Sequence, residues 1–251
     1  NGGIVNSGEE VIEEWSLVSA LARLNYVFQD KYLLTATIRS DRSSRFGANN
    51  QTGIFPSVSL GWRANQESFL SGVDEINELK LRGSYGVTGN FEIPNYGAIG
   101  LLSGANYVSG TSQINGVAPS TSSNADLTWE TSYQMNVGVD YALLNDRIYG
   151  SIDYYTTTTE DLLLFVTVPA ASGFDVALTN IGEVENKGFE FSMTSRNMVG
   201  SLNWATDFNF AANQNTVTKL GPEGDDILSS GAAGARHITR IGDAIGSYYG
   251  Y

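Results

Sequence analysis

The chain has no cysteine among its 251 residues, a single histidine and only 5 prolines. Without thiols there are no disulfides and no thiolate metal sites. The lone imidazole, His237, sits beside Arg236 in a Gly/Ala-rich stretch, away from any serine in an elbow context. It makes no nucleophilic triad, and a zinc site would need an unusual carboxylate set. Positive charge is also scarce: 14 Lys+Arg against 27 Asp+Glu leave a net charge of -13. That balance, with no basic patch, argues against nucleic acid as a partner. The longest apolar run, Leu162 to Val166, is far short of the ~18 residues a helical span requires. Asn1 to Glu14 has neither the basic start nor the apolar core of a secretion signal. The glycine-rich Gly231 to Gly234 does not follow a strand and open a helix, so no phosphate loop is indicated. No cofactor, metal or catalytic site is expected.

What the chain does have is a period of two. Eight segments between Trp15 and Asn213 carry an apolar or uncharged side chain at every second position. One parity reads Val18, Ala20, Ala22, Leu24, Tyr26, then Tyr32 to Ile38, Val58 to Trp62, and Leu79 to Val87. It continues through Trp129 to Tyr141, Ile148 to Tyr154, Phe189 to Met193 and Leu202 to Ala212. The opposite parity holds Arg23, Arg39, Arg63, Lys80, Arg82, Glu130, Asp140, Asp153, Glu190, Arg196 and Asp207. Successive side chains of a strand point to opposite faces, so each strand has one apolar and one polar face.

A soluble sandwich or barrel also alternates. Two features favour a membrane barrel. If the strands run alternately down and up, Tyr26, Tyr32, Trp62, Tyr141 and Trp204 fall near one rim, and Trp129, Tyr154, Phe189 and Phe210 near the other, as in two interfacial girdles. The joints also sort by length. Gln29-Asp30, Leu143 to Asn145 and Asn197 to Gly200 are tight and Ala64 to Glu78 is intermediate, whereas Thr88 to Asp126 and Asp161 to Asn186 are long. Short turns at one end and long loops at the other are an outer-membrane habit.

The charged residues have plain readings. Glu9, Glu10, Glu13, Glu14, Glu183, Glu185, Glu223, Asp225 and Asp226 read as solvated loop acid, and Asp225-Asp226 lacks the spacing of a calcium loop. Glu130, Asp140 and Asp153 share the polar face as a glycosidase pair would, but a charge ladder with Arg82 or Arg63 is simpler. The run Leu162 to Val166 is expected to continue its strand and pack on neighbours.

The same residues resemble a family. Asp30 to Arg39 followed by Asp41 to Gly47, then Phe55 to Arg63 and Leu79 to Asn90, are similar to strand and loop signatures of the SusC/RagA branch of TonB-dependent outer-membrane transporters. So are Leu127 to Thr131, Asp161 to Leu164, Asn180 to Gly182 with Asn186 to Glu190, and Ile245 to Tyr251. The resemblance implies an all-β, antiparallel transmembrane barrel of 22 strands around an N-terminal plug. Residues 1–251 would supply a partial wall of about 8–9 strands, without plug or terminal strands; open edges in lipid would leave backbone groups unpaired, so the chain is read as part of a longer protein.

It also implies active import of an oligosaccharide or peptide across the outer membrane of a Gram-negative bacterium. The implied partners are a SusD-like surface lipoprotein as lid, a TonB complex acting through the missing N-terminal part, and outer-membrane lipid. Asn95, Tyr96, Asn106 and Tyr107, in the longest loop, are the candidate substrate-binding residues, since amides and aromatic faces suit sugars and peptides. The alternatives are an adhesin or passive binding barrel and, disfavoured by the missing catalytic set, an outer-membrane hydrolase.

Overall fold

The computed structural model describes residues 12–174, 176–221, 224–230 and 236–250. Its strands are β1 (Leu17–Phe28), β2 (Tyr32–Ser43), β3 (Thr52–Arg63), β4 (Ile76–Asn90), β5 (Leu102–Gly104), β6 (Tyr107–Ser109), β7 (Ser112–Ile114) and β8 (Val117–Pro119). They continue as β9 (Glu130–Leu143), β10 (Ile148–Glu160), β11 (Leu163–Thr167), β12 (Val176–Asn180), β13 (Glu183–Met198), β14 (Trp204–Lys219), β15 (Ile227–Ser230), β16 (Arg236–Thr239) and β17 (Ser247–Tyr249). The eight long strands form one sheet in the order β1-β2-β3-β4-β9-β10-β13-β14, every pair antiparallel. Each alternating segment falls on one of them, with Trp129 and Leu202 just outside the strand ends. β1 and β14 do not meet, so the wall is open.

Cross-strand register confirms the two faces. One register row runs Phe28, Tyr32, Trp62, Leu81, Val139, Ile152, Phe191, Phe210. Val18, Leu24, Leu60, Val137, Tyr154 and Phe208, all of this parity, are exposed. A soluble sheet would bury such a face in a core.

The rows climb across the wall. The row above starts at the turn end with β1, yet it enters β14 at Phe210, six residues past Trp204. The parallel row through Leu24, Ala36, Val58, Tyr85 and Met135 is apolar on the first five strands and becomes Thr156, Lys187 and Gln214 on the last three. A barrel needs tilted strands and a staggered register, so an apolar band of constant height must cut the rows diagonally. On β13, beyond that band, Lys187 ion-pairs with Glu185 at 2.6 Å.

The tight turns are local chemistry. Gln29 and Asp30 take left-handed φ of 51° and 56° in the three-residue turn from Phe28 to Tyr32, where the Lys31 N–H donates to the Phe28 carbonyl at 3.1 Å. Leu144, Asn145 and Asp146 also have positive φ, and the Asn77 side chain accepts the N–H groups of Asn145 (2.7 Å) and Asp146 (3.3 Å). Between β3 and β4, Glu67 gathers three donors: Lys31 Nζ at 2.9 Å, the Tyr32 hydroxyl at 2.8 Å and Trp62 Nε1 at 3.1 Å. The Lys31 bond, then those of Tyr32 and Trp62, hold the Glu67 carboxyl down at about 2. Both aromatic rings of this rim keep their polar atoms bonded while their faces stay with the apolar band.

The loop end is built differently. β3–β4 pairing stops at Ser57–Gly86, and the Phe55 ring lies where a side chain on Gly53 or Gly89 would stand. Around it Phe46, Ile93, Ala98, Leu127, Trp129 and Leu178 form a buried cluster. Of its wall members, Leu17 and Phe55, like the buried Asp41 and Ser43, share the parity of Arg23 and Arg39, whereas Val87 has the apolar parity. The long loops therefore close over the end of the wall where β3 and β4 part.

Two expectations change here. Trp129 is not a girdle ring: it is 3% exposed and packs on Phe46, Phe55 and Phe91. The run Leu162 to Val166 does not continue β10. Asp161, at φ 56°, breaks the strand, and Leu163–Thr167 pairs with Val176–Asn180 as its own hairpin. Leu163 then packs against the Phe55 cluster, and Leu162 against Val184, Val217 and Leu220.

Candidate functional site

The polar face between the rims is lined by hydroxyls and amides. Arg23, Thr37, Ser57, Gly86, Gln134 and Thr157 follow one another in register, and Asn25, Thr35, Ser59, Ser84 and Asn136 form the next row. Nearer the turn end lies the expected charge ladder. Lys80 reaches Asp140 at 3.3 Å, while Arg82 reaches Asp140 at 2.8 Å and Asp153 at 2.9 Å. Each exposed pair alone contributes less than about 1 kcal/mol, but a shared guanidinium between two carboxylates fixes geometry as well as charge. Arg63 takes no part; it donates to the Asp30 carbonyl in the turn.

These bonds bear on hydrolysis. Asp140 and Asp153 are held by cations, and Glu130 accepts from the Asn90 amide and the Leu163 N–H. No carboxylate of the three is left poised as a general acid. Among the described residues no group of His, Asp and Glu could hold a metal. His237 shares a hydrogen bond with the Gly246 carbonyl and packs on Tyr248. Of the acids expected in loops, Asp226 ion-pairs with Arg240, which lowers its pKa, whereas Glu183 and Glu185 lie on β13, where Glu185 pairs with Lys187. Glu9, Glu10, Glu223 and Gly231 to Gly234 lie outside the described residues.

At the loop end the four candidate residues separate into two pairs. Asn95 is a clamp: its oxygen accepts Arg45 Nε at 2.8 Å and its amide donates to Glu13 at 2.7 Å. Tyr96, with φ 65°, accepts the Glu14 N–H on its hydroxyl. It lines a cavity of about 350 Å³ with Glu14, Trp15, Ser16, Ser44 and Arg45. Asn106 and Tyr107 belong to a projecting arm instead. β5–β8 and β6–β7 keep one register, Leu102↔Pro119, Gly104↔Val117, Tyr107↔Ile114 and Ser109↔Ser112, bridged by Ala105 N–H to Gly116 O at 2.8 Å. They are one interrupted hairpin, and Tyr107 on it is exposed.

Two residues that tie the loops together were not singled out by pattern. Asn180 accepts the Thr128 N–H and donates to the Thr128 carbonyl, both at 2.8 Å, and donates to Asp161 O at 3.0 Å. Arg45 lies over Trp15, 4.4 Å from its ring centroid, and also faces Phe91. Both stand inside the quoted motifs, but a period of two cannot reveal a side chain that bonds loop backbone.

An open antiparallel wall with an apolar band, a polar face carrying paired charges, and its long loops gathered at one end is part of a transmembrane β-barrel. The chain belongs to the family described as TonB dependent receptor-like, beta-barrel, whose model matches residues 5–247. That family consists of transport proteins and not of enzymes. The chain is 42% identical to TonB-dependent receptor P3 of Formosa agariphila over 256 residues, covering 100% of itself and 26% of that protein. It is 37% identical to TonB-dependent receptor SusC of Bacteroides thetaiotaomicron, covering 94% of itself and 25% of SusC. Among solved structures it is similar to the RagAB peptide transporter, with TM-score 0.80 and 32% identity over 91% of this chain and 25% of that one. It thus spans about a quarter of the length of these relatives.

Proposed function

We propose that the intact protein imports a nutrient, an oligosaccharide or a peptide, across the outer membrane of a Gram-negative bacterium. In this reading a TonB complex energises transport from the inner membrane, and a SusD-like surface lipoprotein covers the mouth. The observation that carries it is the family match over residues 5–247 together with the SusC and RagAB relatives. The geometry supports it: the wall offers lipid an apolar band and the interior a hydroxyl- and amide-lined face, while the long loops gathered at one end build a vestibule. The short turns face the periplasm and the long loops the outside.

The test is uptake of candidate oligosaccharides and peptides by cells with and without an uncoupler, passive porin flux subtracted. Import should collapse with the proton gradient, and the full-length protein should co-purify with a surface lipoprotein. Undiminished uptake without the gradient rejects active import in favour of a passive or adhesive barrel.

A further inference from the structure

Arg45 is held as a recognition group is held. Its guanidinium lies over Trp15 and beside Phe91, at 4.4 and 5.6 Å from the ring centroids, and the two rings themselves pack at 5.7 Å. Nε donates to Asn95 Oδ1 at 2.8 Å, and Nη1 donates to the Phe91 carbonyl at 3.4 Å. Nη2 has no acceptor among the described residues, and no carboxylate there pairs with Arg45. Arg39, Arg82 and Arg240 differ, each with an aspartate within 2.9 Å. The half-buried Arg45 therefore presents a fixed, uncommitted edge to the cavity it lines with Trp15, Tyr96, Glu14, Ser16 and Ser44.

We propose that this cavity binds a carboxylate-bearing sugar unit, its carboxylate on Arg45 and its ring face on Trp15. This rests on the import reading for the ligand's role as cargo. At about 350 Å³ the cavity has the size of a small-ligand site. Arginine forms bidentate, charge-assisted bonds with carboxylates, and here its orientation is already fixed. Trp15 remains 46% exposed, leaving ring surface for the apolar face of a pyranose. The Ser16 and Ser44 hydroxyls and the Glu14 carboxylate, which does not pair with Arg45, suit sugar hydroxyls better than a peptide. A peptide adding as a strand would need free backbone groups, but Ser16 and Ser44 spend theirs on each other: Ser44 N–H bonds Ser16 O at 3.0 Å, and Ser16 N–H bonds Ser44 Oγ at 2.9 Å.

The experiment is calorimetric titration of the purified full-length transporter. The ligands are a glucuronic-acid disaccharide, the neutral disaccharide of the same linkage, and a short peptide with a free C-terminal carboxylate. Binding needs no proton gradient, so its failure is read apart from failure of import. The acidic disaccharide should bind roughly 10- to 100-fold more tightly than the neutral one, the range of a charge-assisted bond. Arg45→Gln should bring the acidic ligand down to the neutral one and leave the neutral ligand unchanged. Trp15→Ala should weaken both sugars. Equal binding of the two sugars by the native protein, equal loss of both in Arg45→Gln, or tighter binding of the peptide each overturns the proposal. Should Arg45→Gln fail to fold, the native acidic-to-neutral ratio and Trp15→Ala decide.

Discussion

Arg82 and Asp153 stand two strands apart, yet their side chains meet at 2.9 Å because the residue between them in the row is Gly138. Arg82 pairs in register with Gly138, and Gly138 with Asp153, so the guanidinium passes over a position without a side chain. A Cβ on Gly138 would collide with the Asp153 carboxylate and the Arg82 guanidinium together.

Gly138→Ala should therefore break the bridge and destabilise the barrel by about 1–3 kcal/mol, the range for disrupting a paired network. Gly83, on the apolar face of the neighbouring strand, has open space where its Cβ would stand, so Gly83→Ala should be nearly neutral. Urea titration of the two full-length variants folded in vesicles checks the contrast; equal midpoints would mean the ladder does not depend on Gly138.

The parity of the wall is tested at consecutive residues. Val137→Arg puts a cation in the apolar band and should cost about 2–4 kcal/mol, while Asn136→Arg, beside Ser84 on the polar face, should cost much less. Folding efficiency into lipid vesicles measures both. A larger penalty at Asn136 would reverse the assignment of the faces.

Glu67 gives a pH dependence of definite sign. Its carboxyl is lowered from 4.5 to about 2 by Lys31, Tyr32 and Trp62. A depressed acid stabilises the fold above its ordinary pKa and loses that contribution as pH falls through the folded value. The stability gap between the native protein and Glu67→Gln should thus hold steady above about pH 4.5 and close as pH falls toward 2. Denaturant midpoints across that range check it, and a gap independent of pH would dismiss the charged cluster.

Sidedness is tested by tags. An epitope at Ser109, in the projecting arm, should be labelled on intact cells, and one at Asn145, in a tight turn, should not. Surface labelling at Asn145 would invert every strand.

The long strands were legible because alternation is a property of consecutive residues, and each long strand pairs with the next one along the chain. The cation–carboxylate ladder was legible too, since Lys80, Arg82, Asp140 and Asp153 share one parity. Trp129 was misread because parity was extended one residue past the strand start at Glu130, where the chain turns into the Phe55 cluster. The loop end was mostly illegible. Arg45, Asn95 and Asn180 act through partners up to 82 residues away, and no local period encodes such distances. The longest loop contributes Asn95 and Tyr96, and Asn95 bonds Arg45 and Glu13.

The diagonal course of the apolar band has a mechanical side. From the level set by the tight turns, β1 rises 12 residues while β13 and β14 rise 16. At about 3.3 Å per residue this difference is roughly 13 Å along the strand. The rim at the loop end is consequently a ramp, low at β1 and high at β14. The low side of that ramp, beside β1, carries Trp15 and Arg45.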